Sequence, residues 1–130
     1  MQIDHFVLTV KNIEEILSFY KRVLGAELID YEAWRSGQIR YPSMLFSMQK
    51  IILHSDSTKA QPKAKNPTSG SADICFLWEG NISSAIDHLA QHGIPIELGP
   101  VERVGTHGKG KSVYFRDPEG NLIELISYLP

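Results

Sequence analysis

The chain has a single cysteine, a small net charge and no long apolar run, and each of these features excludes a class of protein. Cys75 is the only cysteine in 130 residues, so no disulfide can form within the chain, as in proteins of reducing compartments. The formal net charge of −2 gives no basic field for nucleic acid. No apolar run approaches the ~20 residues that span a bilayer, and residues 1–10 lack the pattern of a signal peptide. We therefore expect a single-domain cytoplasmic protein.

What the sequence does contain is an internal repeat. Residues 10–28 are echoed by residues 79–98, and residues 50–54 are echoed by residues 120–124. A repeat of this length indicates that two copies of one supersecondary unit build the domain. Three segments are predicted: unit one at residues 1–58, an exposed linker at 59–70, and unit two at 71–130.

Each unit is predicted to run strand, helix, strand, strand, strand. Asn12 and Asn81 are suited to cap the two helices, and Gly25 and Gly93 to end them. The predicted strands are residues 3–10, 27–31, 43–48 and 51–55, then 72–78, 94–98, 112–116 and 122–128. The glycine-rich run 105–110 is predicted to be a loop able to close over a ligand. The expected fold class is α+β, with two βαβββ units forming a curved mixed sheet around a metal-binding cleft.

Four positions that the repeat pairs carry residue types that bind metals. His5 corresponds to Asp73 near the two unit starts, and His54 corresponds to Glu124 near the two unit ends. Alternate side chains of a strand share a face, so a curled sheet would bring the four together on the floor of a cleft. Two imidazoles with one or two carboxylates suit one divalent ion such as Zn, Ni, Co, Mn or Fe.

Each of these residues also has a structural interpretation. A histidine near a strand start is more often structural than a ligand. Asp73 is equally suited to cap the turn that follows the linker. Glu124 interrupts an apolar run, so on a half-buried strand it is either outward-facing or functional. His107, in the glycine-rich run, is open to both interpretations.

Several segments together resemble the vicinal oxygen chelate superfamily, the group of glyoxalases, bleomycin-resistance proteins and extradiol dioxygenases. They are DHFVLTV at 4–10, FYKRVLG at 19–25, GPVER at 99–103 and VYFRDPEGNLIEL at 113–125. The resemblance implies paired βαβββ units around one metal, with His5, His54 and Glu124 at the first, second and fourth ligand sites. The third site, often histidine in the family, is Asp73 here, which argues against a dioxygenase.

The resemblance also implies a chemistry. The metal would chelate two neighbouring substrate oxygens and act as a Lewis acid, while Glu124 leaves the metal to serve as the base. The favoured function is a metal-dependent lyase or isomerase of the glyoxalase type. The alternatives are a fosfomycin-inactivating transferase, an extradiol-type dioxygenase and a metal-free drug-binding protein. Small relatives commonly form homodimers with sites shared between chains, so the same assembly is expected, with a small-molecule substrate and neither nucleic acid nor membrane as partner.

Overall fold

The chain divides into two compact units, residues 1–70 and 71–130. The computed structural model describes all 130 residues. Each unit contains its own four-stranded sheet with helices, which confirms the α+β class and the paired βαβββ arrangement. None of the helices has the length and apolar character needed to cross a membrane.

Unit one contains six elements. They are β1 (His5–Val10), α1 (Ile13–Leu24), β2 (Glu27–Ile29), α2 (Tyr31–Arg35), β3 (Ser43–Phe46) and β4 (Gln49–Ser55). The strand order is β1-β4-β3-β2, with β1 and β4 parallel and the other pairs antiparallel. Helix α1 starts where Asn12 accepts a hydrogen bond from the Glu15 backbone N–H, and it ends at Gly25, whose positive φ suits glycine.

Unit two contains five elements. They are β5 (Asp73–Leu77), α3 (Ile82–Gln91), β6 (Leu98–Gly105), β7 (Gly108–Arg116) and β8 (Leu122–Ser127). The strand order β5-β8-β7-β6 repeats that of unit one, and the edge pair β5 and β8 is again parallel. Asn81 caps α3 by accepting a hydrogen bond from the Ser84 backbone N–H.

The apolar core of each unit comes from alternate residues of the strands and from one side of the helices. In unit one the fully buried side chains include Val10, Ile16, Tyr20, Met44 and Leu53. In unit two they include Ala85, Leu89, Val113, Phe115 and Ile123. Because side chains alternate along a strand, burying these residues leaves the other face of each sheet to carry the polar residues.

Two predictions about unit two are wrong. Residues 94–97 of the strand predicted at 94–98 form no strand, because Pro95 has no N–H to donate to a ladder, and β6 begins only at Leu98. The run 105–110 is not a free loop: it contains the end of β6, a turn at residues 106 and 107, and the start of β7, and Gly105 pairs with Gly108. Its glycines allow close packing: a Cβ on Gly110 would lie 2.8 Å from the Ser127 carbonyl oxygen.

Unit one departs from prediction after β2. The strand predicted to reach residue 31 stops at Ile29, because Asp30 takes a left-handed backbone with φ of 60°. The short helix α2 follows and was not predicted. It is anchored to α1, since the Glu14 carboxylate accepts hydrogen bonds from Tyr31 at 2.8 Å and from Arg35. The other strands begin and end within a few residues of their predicted limits.

Candidate functional site

A polar cluster lies on the sheet face of unit two that is directed away from the buried core. Strand register places five of its members on one face: Asp73, Cys75, Ser112, Tyr114 and Glu124. We call this the Glu124 face. Arg103, on β6, joins it through a hydrogen bond to the Tyr114 hydroxyl.

Glu124 is half-buried and is held by two neighbours on β7. The buried Ser112 hydroxyl donates a hydrogen bond of 2.6 Å to Glu124 Oε2. Tyr114 is the direct antiparallel partner of Glu124. Partial burial raises the pKa of Tyr114, the hydrogen bond from Arg103 opposes that rise, and the neighbouring Glu124 carboxylate adds to it. These contacts fix the orientation of a carboxylate that lies within an otherwise apolar strand.

Asp73 and Cys75 flank Glu124 on the neighbouring parallel strand. Cys75 is the register partner of Glu124, while Asp73 is the partner of Leu122, two residues earlier in β8. Partial burial, followed by the charges of Glu124 and Asp73, raises the pKa of the Cys75 thiol to about 12. The thiol is therefore protonated near neutral pH in the metal-free protein.

A buried hydrogen-bonded turn fixes the start of β5 beside β8. The Asp117 carboxylate accepts hydrogen bonds from the backbone N–H groups of Glu119 and Asn121, at 2.9 and 3.0 Å. The Asn121 side chain donates to Asp117 at 2.8 Å and accepts from the Ala72 backbone N–H at 2.9 Å. Since Ala72 precedes Asp73, this network sets the position of Asp73 relative to Glu124.

In unit one, His5 lies at the start of β1 with one ring nitrogen already engaged. His5 Nδ1 lies 2.7 Å from the Asp4 carboxylate, to which it donates a hydrogen bond. That bond leaves Nε2 with its lone pair, the arrangement in which histidine ligates metals.

His54 lies on the same sheet face as His5 but at the other end of the strand pair. The register partner of His54 is Thr9, four residues beyond His5, which corresponds to ~13 Å along the strand. The Tyr41 ring stacks on His54 with centroids 4.0 Å apart, and burial lowers the pKa of His54. Unit one by itself therefore does not bring His5 and His54 to one metal, whose ligand bonds are only ~2 Å long.

The register changes one correspondence taken from the sequence repeat. His5 and Asp73 do occupy matching places, since each begins the parallel edge strand of its unit. Two residues into that strand, Val7 pairs with Ile52 where Cys75 pairs with Glu124. The counterpart of Glu124 is thus Ile52 and not His54, so the predicted pairing of His54 with Glu124 is wrong by two residues.

No group of three or more His, Cys, Asp or Glu side chains that could hold a metal ion forms within the chain. Asp73 and Glu124 lie on adjacent strands of the same face, and the ligand assignment of His5, His54, Asp73 and Glu124 stays a prediction. Sequence reasoning missed Ser112, Arg103 and the role of Tyr114. The alternation of polar and apolar residues in KSVYFR, at 111–116, is the signal that places Ser112 and Tyr114 on one face.

Comparison with known proteins gives a consistent family. The family model described as the Glyoxalase/Bleomycin resistance protein/Dioxygenase superfamily matches residues 2–125. Virulence protein STM3117 of Salmonella typhimurium is 42% identical over 98% of this chain and 85% of its own length. Glyoxalase domain-containing protein RDO1 of Mycosarcoma maydis is 40% identical over 97% of this chain and 68% of its own length. The solved integron cassette protein VCH_CASS1 of V. cholerae is 40% identical, with a TM-score of 0.88 over 99% of this chain and 96% of its own.

More distant relatives have names that describe chemistry. Metallothiol transferase FosB of Shouchella clausii is 29% identical over 95% of this chain and 77% of its own length. Mitochondrial methylmalonyl-CoA epimerase of Bos taurus is 30% identical over 95% of this chain and 73% of its own length. A solved FosX of Listeria monocytogenes, described as complexed with Mn(II), is 22% identical over 96% of this chain and 88% of its own, with a TM-score of 0.63.

Proposed function

Because the chain belongs to the glyoxalase, bleomycin-resistance and dioxygenase superfamily, we propose that it is a metal-dependent lyase or isomerase of the glyoxalase type. Its substrate is a small molecule that presents two neighbouring oxygens to the metal. The observation that carries the proposal is Glu124, a half-buried carboxylate oriented by Ser112 at 2.6 Å on a face that also bears Asp73. Because members of this superfamily catalyse many different reactions, membership supports only this general class. The particular reaction has to be argued from the residues of the site.

The donor set fits a divalent metal. His5 offers Nε2 because Nδ1 is bonded to Asp4, and Glu124 keeps Oε1 outside its bond to Ser112. His5, Glu124 and Asp73 are the proposed ligands. Of the four predicted ligands, His54 has the least support, because it lies two residues beyond the counterpart of Glu124. Two carboxylates favour a harder ion such as Mn over tetrahedral Zn, and the Mn(II) in FosX is consistent with this. A bound ion supplies Lewis acidity at the substrate oxygens.

The chain's own contribution is the movement and holding of a proton. We propose that the Glu124 carboxylate, once it has left the metal, takes a proton from the carbon next to the substrate carbonyl and returns it to the neighbouring position. The Ser112 hydroxyl holds Glu124 Oε2 in place, and this hydrogen bond also fixes the orientation of the other carboxylate oxygen, Oε1. Isomerisation of this kind balances without an oxidant or a thiol.

Metal analysis of the purified protein tests the proposal first. We expect about one divalent ion per chain, and Glu124→Gln should weaken its binding roughly 10-fold or more, the scale seen even for residues behind the ligands. Glu102→Gln is the matched control, because Glu102 is an exposed unit-two glutamate paired with Lys109 at 3.4 Å. Full metal stoichiometry in the triple variant His5→Ala, His54→Ala, Glu124→Ala would place the site elsewhere.

Proton chemistry is tested with a panel of small hydroxycarbonyl compounds in D₂O. We expect deuterium to enter next to the carbonyl, detected by NMR, in the wild type and not in Glu124→Gln. Oxygen consumption with a catechol in the iron-loaded protein would favour the dioxygenase instead. Thiol-dependent loss of fosfomycin would favour the transferase, and drug binding by protein free of metal would favour the sequestering function.

We further propose that the protein is a homodimer in which each metal site combines unit one of one chain with unit two of the other. A two-fold dimer is the commonest closed assembly. The test mixes His5→Ala and Glu124→Ala proteins, each inactive alone, under conditions that exchange subunits. Shared sites give one site with both defects and one with neither, so activity returns. Proven exchange without recovery refutes sharing and leaves the metal assignment intact.

A further inference from the structure

Arg103 is a guanidinium on the Glu124 face that has no carboxylate partner. Its Nε donates a hydrogen bond of 3.0 Å to the Tyr114 hydroxyl, and its Cζ lies over the Tyr114 ring at 5.5 Å from the centroid. Its Nη1 donates to the Glu102 carbonyl oxygen at 3.0 Å. These contacts use two of the five guanidinium N–H groups and leave three available.

Two other arginines, Arg116 and Arg35, are paired with carboxylates. Arg116 is paired with Glu97 at 3.0 Å, and Arg35 is paired with Glu14. The acid next to Arg103 in sequence, Glu102, has its carboxylate 3.4 Å from Lys109 instead. The positive charge of Arg103 is therefore held in place on the Glu124 face without an ion pair.

We propose that Arg103 binds an oxyanion group of the substrate, a carboxylate or a phosphoryl group, and that Tyr114 is the residue that positions it. This inference rests on the proposed function for its location, since it assigns a substrate class to the Glu124 face. A guanidinium presents paired N–H groups in a planar fork that matches carboxylate and phosphate oxygens. Stacking on Tyr114 and the bond to its hydroxyl fix the side chain in advance, so less rotamer freedom is lost when the anion binds.

Tyr114 also brings Arg103 close to Glu124, because Tyr114 and Glu124 are neighbours across β7 and β8. The Tyr114 hydroxyl accepts a hydrogen bond from Arg103, and Tyr114 is the register partner of Glu124, so one residue stands between the anion-binding group and the proposed base. An anionic substrate approaching the Glu124 carboxylate would meet like-charge repulsion, and Arg103 offsets it. A neutral substrate would have no use for this charge.

Anion titration of the metal-free protein tests the inference separately from metal binding. The arginine Nε–H resonances are followed by ¹H–¹⁵N NMR while acetate or inorganic phosphate replaces chloride at constant ionic strength. We expect the Arg103 resonance to shift saturably, and the stronger of the two anions identifies the group. Arg103→Gln should weaken binding roughly 10-fold or more, the scale for hydrogen bonds to charged groups.

Two variants separate binding by Arg103 from general effects. Arg40→Gln is the matched control, because Arg40 is a unit-one arginine that also lacks a carboxylate partner, and it should leave anion binding unchanged. Tyr114→Phe keeps the ring and removes the hydroxyl, so affinity should fall several-fold while the free Arg103 Nε–H resonance moves. Equal weakening by Arg40→Gln, or no saturable shift at Arg103 with either anion, overturns the inference. Either result leaves metal binding by Glu124 untouched.

Discussion

Unit one and unit two share a strand order and differ in what the open sheet face presents. At the place where unit two has Glu124, unit one has Ile52, and where unit two has Cys75, unit one has Val7. Only the first position of the parallel edge strand carries a potential ligand in both units, His5 in one and Asp73 in the other. The two units thus share a backbone arrangement and helix packing, whereas the polar functional groups of the open sheet face are concentrated in unit two.

The turns before the last strands differ in the same sense. In unit one, β3 and β4 are joined by Ser47 and Met48, with Ser47 at a φ of 55° and Met48 89% exposed. In unit two, the Asp117 and Asn121 network is buried and reaches the residue before Asp73. The short turn of unit one precedes a sheet face without a carboxylate pair. The longer turn of unit two fixes β5 and β8, the two strands that carry Asp73 and Glu124.

The largest expected effect tests whether the shared core is equally important in both units. Met44 and Phe115 occupy matching places, since their register partners are Ile51 and Ile123, and both are 0% exposed. Phe115→Ala should lower the free energy of unfolding by roughly 3–5 kcal/mol, and Met44→Ala by roughly 2–5 kcal/mol. Denaturant unfolding measures both. The exposed Val104→Ala serves as control at within about 0.5 kcal/mol, and a cost that small at Phe115 would contradict the core assignment.

The turn network gives the next effect. Asn121→Ala should destabilise the protein by about 1–3 kcal/mol, because Asp117 and the Ala72 N–H lose a buried partner. Ser47→Gly in the other unit should change stability by less than about 1 kcal/mol, since it only relieves a left-handed backbone. Thermal unfolding of the two variants distinguishes them, and equal shifts would remove the contrast between the turns.

Metal affinity tests the one position at which both units carry a potential ligand. If His5 and Asp73 both ligate, His5→Asn and Asp73→Asn should each weaken divalent-ion binding by about 10-fold or more. Calorimetric titration with Mn²⁺ and Zn²⁺ is the measurement, with Asp56→Asn, a polar unit-one residue just after β4, as the control. Unchanged affinity in Asp73→Asn would make water or substrate the occupant of that position.

The smallest effect concerns the thiol beside Glu124. Because partial burial and the Glu124 and Asp73 charges raise the pKa of Cys75 to about 12, the thiolate that reacts is scarce at pH 8. Removing one charge lowers this pKa, so Glu124→Gln should speed iodoacetamide alkylation of the chelator-treated protein by a few-fold at pH 8. Mass spectrometry follows the rate, and a slower reaction in Glu124→Gln would contradict the placement of the two side chains.

Local signals in the sequence predicted much of this protein. Asn12 and Gly25 marked the limits of α1, and Asn81 marked the start of α3, because capping depends on a few adjacent residues. The motif around Glu124 predicted both the family and the strand that carries the carboxylate. Helix α2 was missed because its anchor, Glu14, lies 17 residues before Tyr31.

The sequence by itself determined two βαβββ units, their helix caps and a glutamate in the last strand of the superfamily motif. Only the tertiary structure decided that Ile52, and not His54, stands where Glu124 stands in the other unit. A shift of one residue turns every side chain to the wrong face and disrupts the apolar pattern, but a shift of two residues keeps that pattern. The apolar periodicity of the sequence therefore does not reveal a shift of two residues. The register is set only by the hydrogen bonds between β1 and β4, which join residues 45 positions apart.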